Sequence, residues 1–195
     1  MLSKFIIILV FTAFVPIHNT LCAQATDMKT TIDVLFSKSV QLEEDNSYTE
    51  EQRKLKWIGN PPATEQDINA AELRLKVKLP EDYKDFLKIA NGYSSCAGSV
   101  EPGFTEVQQI DYLNKLDPDT VNAWSMYEDE LSIKLKRSIL IGGKGEEQFF
   151  LLIPPVKNEK WEYWMFANWL PGKREHPSLK EYFLDVIEFI DSVKQ

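Results

Sequence analysis

Between residues 57 and 92 the apolar positions recur at helical spacing, in two blocks separated by a short break. Ile68, Ala71 and Leu75 share one helical face with Glu72, while Glu65, Asn69 and Lys76 fall toward water. Pro61-Pro62 holds the preceding chain extended, Thr64 supplies an N-cap hydroxyl, and Asp67 follows three residues later, so a helix starts there. In the second block Tyr83, Phe86, Leu87 and Ala90 fall at i, i+3, i+4 and i+7. Pro80 suits a first turn, Glu81 and Asp82 suit the positive end of the helix dipole, and Asn91-Gly92 suits a left-handed helix end. Upstream, Ile32, Leu35, Phe36 and Val40 predict a helix within residues 31–40, and the polar run 41–53 reads as an exposed linker.

Beyond residue 92 the period changes. Residues 93–120 are interrupted by Gly98, Pro102, Gly103 and Pro118 and predict loops and short strands. Two short apolar runs, 138–142 and 148–154, flank Gly-Lys-Gly-Glu-Glu and predict a β-hairpin with a glycine-bearing turn. Residues 162–170 predict a third strand with Trp161, Tyr163, Met165, Ala167 and Trp169 on one face. Trp164, Phe166 and Leu170 join Glu162 and Asn168 on the other. Two largely apolar faces suit a central strand with helices on one side and loops or a partner on the other. A last helix opens with a Ser178/Glu181 capping box and carries the stripe Leu179, Tyr182, Phe183, Val186, Ile187 and Ile190. Helices first, strands in the middle and a helix last indicate a single α+β domain. Its antiparallel sheet packs against N-terminal helices and a C-terminal helix.

The first residues stand outside this pattern. Lys4 precedes an apolar run, 5–15, interrupted only by Thr12, and small residues follow, which is a signal-peptide pattern too short for a bilayer-spanning helix. Cleavage after Ala23 or Ala25 fits. Acylation at Cys22, a lipoprotein reading, is disfavoured by Leu21 before it, and an uncleaved segment is the remaining alternative. Lys4 is the only charged residue of that segment, so its removal takes the formal net charge from −8 to −9. Such a balance argues against nucleic acid as a direct partner, while the signal pattern points to an exported, periplasmic or secreted location with no stable membrane span after cleavage. About 170 residues remain, enough for one domain burying roughly 70% of its unfolded surface. Cys96 is then the only cysteine, so no intramolecular disulfide forms, and His176 is the only histidine.

This inventory narrows the chemistry. Gly-Gly-Lys-Gly-Glu-Glu at 142–147 lacks the Lys-Ser/Thr ending of a phosphate loop, so it reads as the hairpin turn. Cys96 and His176 are far apart with no motif around them, which disfavours a nucleophile and base pair. One cysteine and one histidine do not make a closed zinc site, and Asp117-Pro118-Asp119-Thr120 lacks the glycine and final glutamate of a calcium loop. No metal or cofactor is expected. Thirty acidic residues leave a two-carboxylate hydrolase open without singling out a pair. The tryptophan-rich strand reads first as core. Its second reading is a protein-binding patch in which Trp161, Trp164 or Trp169 is an exposed anchor, framed by acidic groups such as Glu128, Asp129 and Glu130.

One set of residues carries a family resemblance. Trp57, Gly59, Pro61-Pro62-Ala63-Thr64, Ile68, Glu72, Leu75, Leu79-Pro80, Tyr83, Phe86-Leu87 and Asn91-Gly92 resemble the SUKH superfamily, the Smi/Knr-type domain. Leu-Leu-Ile-Pro-Pro at 151–155, the segment 161–172 and the closing helix resemble its C-terminal half. The division that follows is a signal peptide at 1–23, a helix and acidic linker at 24–56, and the SUKH-like domain at 57–195. The resemblance implies an α+β fold and, for many bacterial members, an immunity protein that binds and neutralises a polymorphic toxin. Other members, including fungal regulators of cell-wall synthesis, are interaction modules, and none of this implies a catalytic set. Three functions are therefore carried forward. The first is a non-enzymatic exported immunity protein, the second a regulatory module in envelope or cell-wall biogenesis, and the third the hydrolase. Immunity against nuclease toxins operates in the cytoplasm, so the signal segment favours a target in the periplasm or at the envelope.

Overall fold

A computed structural model describes residues 27–42, 47–94, 96, 101–126, 130–157, 159–167 and 172–193. Helix α1, Met28–Leu42, begins where Asp27 Oδ1 accepts the Thr30 N–H at 2.8 Å. The segment expected as an exposed linker contains a second helix, α2, Glu50–Leu55. Thr49 and Gln52 form its reciprocal capping box, with bonds of 3.2 and 2.9 Å. It buries no residue, so the apolar period that revealed the other helices was absent here.

Helix α3, Glu65–Leu75, starts as its sequence dictates: Thr64 Oγ1 accepts the Asp67 N–H at 3.1 Å and Asp67 accepts the Thr64 N–H at 2.9 Å. Helix α4, Glu81–Leu87, takes Pro80 as its N-cap and ends before Asn91-Gly92. Gly92 does adopt a left-handed φ of 81°, but for another purpose. A Cβ there would sit 2.3 Å from the Phe104 carbonyl oxygen, so glycine lets residues 92 and 104 pack backbone to backbone.

Five antiparallel strands follow one another in the sheet in chain order. They are β1 (Asp111–Tyr112), β2 (Ile139–Gly142), β3 (Gln148–Ile153), β4 (Glu162–Ala167) and β5 (Lys173–His176). The predicted hairpin is β2–β3, and Phe150 pairs with Met165 and Leu151 with Trp164 across β3 and β4. Strand β5 was hidden in sequence because Lys-Arg-Glu-His has no apolar alternation. Residues 168–170 of the predicted third strand lie outside the described residues.

The pleat sends alternate side chains into two cores. Ile139, Phe150, Tyr163 and Met165 meet α1, α3, α4 and the closing helix α8, Leu179–Val193, through Phe36, Leu75, Phe86 and Phe183. Leu140, Leu151, Trp164 and Phe166 meet Leu113, Val121 and Leu135. Those three come from α5 (Leu113–Leu116), α6 (Pro118–Ser125) and α7 (Glu130–Arg137). The second face is thus covered by helices, not by loops or a partner. Part of the stretch expected as loops and short strands is helical because Pro118 opens α6 instead of breaking the chain. Asp117 Oδ1 caps that helix by accepting the Thr120 N–H at 3.0 Å.

Three side chains clasp distant elements. Arg74 donates to the carbonyls of Ile110, Val107 and Gln108 at 2.5, 3.1 and 3.3 Å. Glu72 is 5% exposed; it accepts the Leu79 N–H at 3.0 Å and pairs with Lys78, which pins the α3–α4 turn. Asp82 accepts the Tyr163 hydroxyl, and its other oxygen accepts the Leu179 N–H at 2.9 Å, so one carboxylate on α4 joins β4 to the start of α8. Asp82→Ala removes a charged acceptor from three donors, the Tyr83 N–H being the third. It is expected to lower unfolding free energy by about 2–4 kcal/mol, with Asp82→Asn losing less, as measured by urea denaturation.

Candidate functional site: the groove at Trp161

The α3–α4 turn, the start of β4 and the turn between β5 and α8 converge on an open groove of about 520 Å³. Pro80, Trp161 and Pro177 form its apolar floor and wall, and Lys78, Lys160 and Glu81 its charged rim. Trp161 is half-buried and packs on the first core with part of its indole left to the groove. Each elements' end is fixed by the clasps already described: Glu72 sets Lys78-Leu79, and Asp82 sets the depth at which Tyr163 and Leu179 meet.

The other expected anchors are placed differently. Trp164 is 1% exposed and lies in the second core, which corrects the expectation that it could be an accessible anchor. Its ring is covered by Lys173 Nζ at 4.1 Å and Lys134 Nζ at 5.5 Å, and its Nε1–H donates to Glu162 at 3.1 Å. Lys134 bridges Glu162 and Glu130 at 2.9 and 2.7 Å, so the exposed Glu130 is tied to the ion pairs around Trp164. The hydrogen bond from Lys134 holds the Glu130 carboxyl below its ordinary range. Trp169, Glu128 and Asp129 lie outside the described residues. Trp161 is therefore the one of the three tryptophans that the described structure sets at a surface groove, and it is not beside Glu130 in the groove's lining. Lys78, Lys160, Pro80 and Pro177 carried no site signal in the sequence, because three turns far apart in the chain assemble the groove.

The chemistry-bearing residues are held apart. Cys96 is fully buried, and burial pushes its thiol well above the ordinary range. His176 is 3% exposed, its Nδ1 lies 3.1 Å from an Asp185 oxygen, and its buried Nε2 has no partner. Neither ring nitrogen contacts Cys96, so the two form no nucleophile and base pair. His176 ends β5. Its pKa is lowered, chiefly by burial, with Asp185 opposing. Among the described residues no three His, Cys, Asp or Glu side chains group so as to hold a metal ion. No helix among them is long and apolar enough to cross a membrane.

Of the two described carboxyl groups with a raised pKa, Glu101 and Glu146, Glu101 is the more enclosed. Burial raises its pKa against the Tyr182 hydroxyl at 2.9 Å and the Gln148 amide at 3.2 Å, both donating to Oε2. Its stabilising contribution is complete below its unfolded value near 4.5 and is lost as pH rises through the higher folded value. Glu101→Gln keeps the acceptor and removes the ionisation. Thermal melting should place the variant above the parent at neutral pH, with the difference vanishing near pH 4.

Together the fold and the groove define a class: a small α+β domain with helices on both sheet faces, whose aromatic site is an open groove. The model of the SMI1 / KNR4 family (SUKH-1) matches residues 62–192. The chain belongs to that family. The match begins at Pro62, beside the Thr64 cap of α3, and runs to the last turn of α8. No curated protein matches the chain in sequence.

Proposed function

We propose that this chain is a non-enzymatic, exported binding domain that neutralises a polymorphic toxin acting in the periplasm or at the envelope. Family membership over residues 62–192 carries this reading, since that family is compatible with immunity-type binding. The groove supports it, because a half-buried tryptophan between two prolines offers rigid apolar area at little entropic cost to a protein surface. Separation of Cys96 from His176 and internal bonding of Asp82 and Glu101 favour binding over hydrolysis. Cleavage of residues 1–23 and export complete the proposal.

The test is to search the neighbouring reading frames for a large exported toxin and to co-express any such protein with this chain, delivered to the periplasm. Survival that depends on the chain and on its signal segment supports the proposal. Death at the same rate with and without the chain, together with stable capture of resident envelope proteins, would replace it with a regulatory role in envelope or cell-wall biogenesis.

A further inference from the structure

We infer that the Trp161 groove receives an acidic segment bearing an apolar side chain, supplied by the protein partner. This inference rests on the proposed binding function and adds the partner's chemistry. It reverses the polarity suggested by the chain's overall negative charge, under which a basic partner would be expected.

The distribution of engaged and unengaged charges carries it. Every carboxylate lining the groove is already occupied. Glu81 takes the Lys84 ammonium at 2.6 Å, and Asp82 takes the Tyr163 hydroxyl and the Leu179 N–H. Glu72, behind the turn, is buried and takes Leu79 N–H, Lys78 and, at 3.9 Å, Lys84. The cations stand differently. Lys160 on the groove and Lys76 in the adjoining depression are both exposed and have no hydrogen-bond or ion-pair partner among the described residues. Lys78 lies between the two surfaces with 83% of its side chain exposed, its ammonium reaching back to Glu72.

Apolar area follows the same line. Leu73 is 80% exposed and lines the depression with Val77 and Lys76, and across Lys78 the surface continues to Pro80, Trp161 and Pro177. An incoming ammonium would meet only carboxylates that already have donors. An incoming carboxylate would meet two unpaired ammonium groups beside an apolar surface. Coulombic attraction at an exposed rim is modest per pair, so the lysines choose and orient the segment while Trp161 and Leu73 supply the buried area. Overall negative charge elsewhere on the chain then discourages nucleic acid, which would otherwise suit a lysine pair.

The test follows the indole N–H resonance of Trp161 in the 15N-labelled chain, assigned by its loss in Trp161→Phe. The probe is a blocked ten-residue peptide of glutamates interrupted by leucine and phenylalanine, compared with the same peptide carrying lysine for glutamate. Saturable movement of the Trp161 signal with the glutamate peptide alone is expected. Lys76→Glu combined with Lys160→Glu should weaken it about tenfold, as should salt approaching about 1 M. Neither lysine has a hydrogen-bond or ion-pair partner among the described residues, so the fold should be unchanged, and an unaltered melting temperature checks this. A still signal, an equal response to the lysine peptide, or unchanged binding by the double variant would overturn the inference. The toxin-protection assay separates the two levels. Protection retained with a still Trp161 signal overturns the groove's polarity and leaves the binding function standing; a moving signal without protection does the reverse.

Discussion

Trp164→Ala is expected to lower unfolding free energy by about 3–5 kcal/mol, measured by urea denaturation monitored by far-UV dichroism. The indole is 1% exposed and lies in the core that joins β4 to α5–α7, with Leu113, Val121 and Leu135. Removing it opens a cavity where the sheet backbone is fixed on both sides by β3 and β5, so little collapse can fill the space. It also removes the donor to Glu162 and the ring under Lys173 and Lys134. Trp161→Ala should cost about 1–2 kcal/mol, because that ring is already half in water and loses less buried area. The contrast separates a tryptophan that holds the fold from one that is available to a partner. Equal losses in the two variants would contradict the placement of Trp161 at the groove.

Gly143→Ala is expected to cost about 2–5 kcal/mol, enough to leave a substantial unfolded fraction in a domain of ordinary stability. Gly143 has a φ of 78°, and a Cβ built there would sit 1.8 Å from the Gln148 carbonyl oxygen. Its N–H also donates to the Gly103 carbonyl at 2.9 Å, so the hairpin turn cannot swing outward without losing that bond. Gly145, two residues on, provides the control. Its φ is 82° but nothing lies within 4 Å of its Cβ position, so Gly145→Ala carries only the backbone conformational cost of about 1–2 kcal/mol. Thermal melts of the two variants measure the difference, which is the contribution of the close approach alone. If both variants melted together, steric contact at Gly143 would not matter.

How far the chain's sequence disclosed these features depended on whether the controlling interaction was local. Thr64 and Asp67 cap α3 through bonds spanning three residues, and Ile68, Ala71 and Leu75 announce its buried face, so the helix was legible. The hairpin was legible for the same reason, its glycines standing between two apolar runs. Helix α2 has the local cap but no buried residue, and β5 has the pairing but no apolar alternation, so periodicity failed at both. Helix α6 is not legible from periodicity, because Pro118 reads as a breaker unless Asp117 before it is seen as a cap that makes proline a starter. At the site, the aromatic strand was visible, yet which tryptophan faces outward depends on α5–α7 covering the second face. The engagement of Asp82 depends on Leu179, 97 residues away, and no local pattern encodes it.

The packing of α1 on α8, tied at one point by Lys38 and Asp191, has a consequence for how the chain comes into being. Among the described elements α1 comes first and α8 last in chain order, so the core around Ile32, Leu35 and Phe36 is completed only when the two ends of the described fold meet. Before α8 docks, the apolar face of α1 is covered only in part, by Trp57, Tyr93 and α4. Clipping the last two turns of α8 should thus leave a product that is made but never closes.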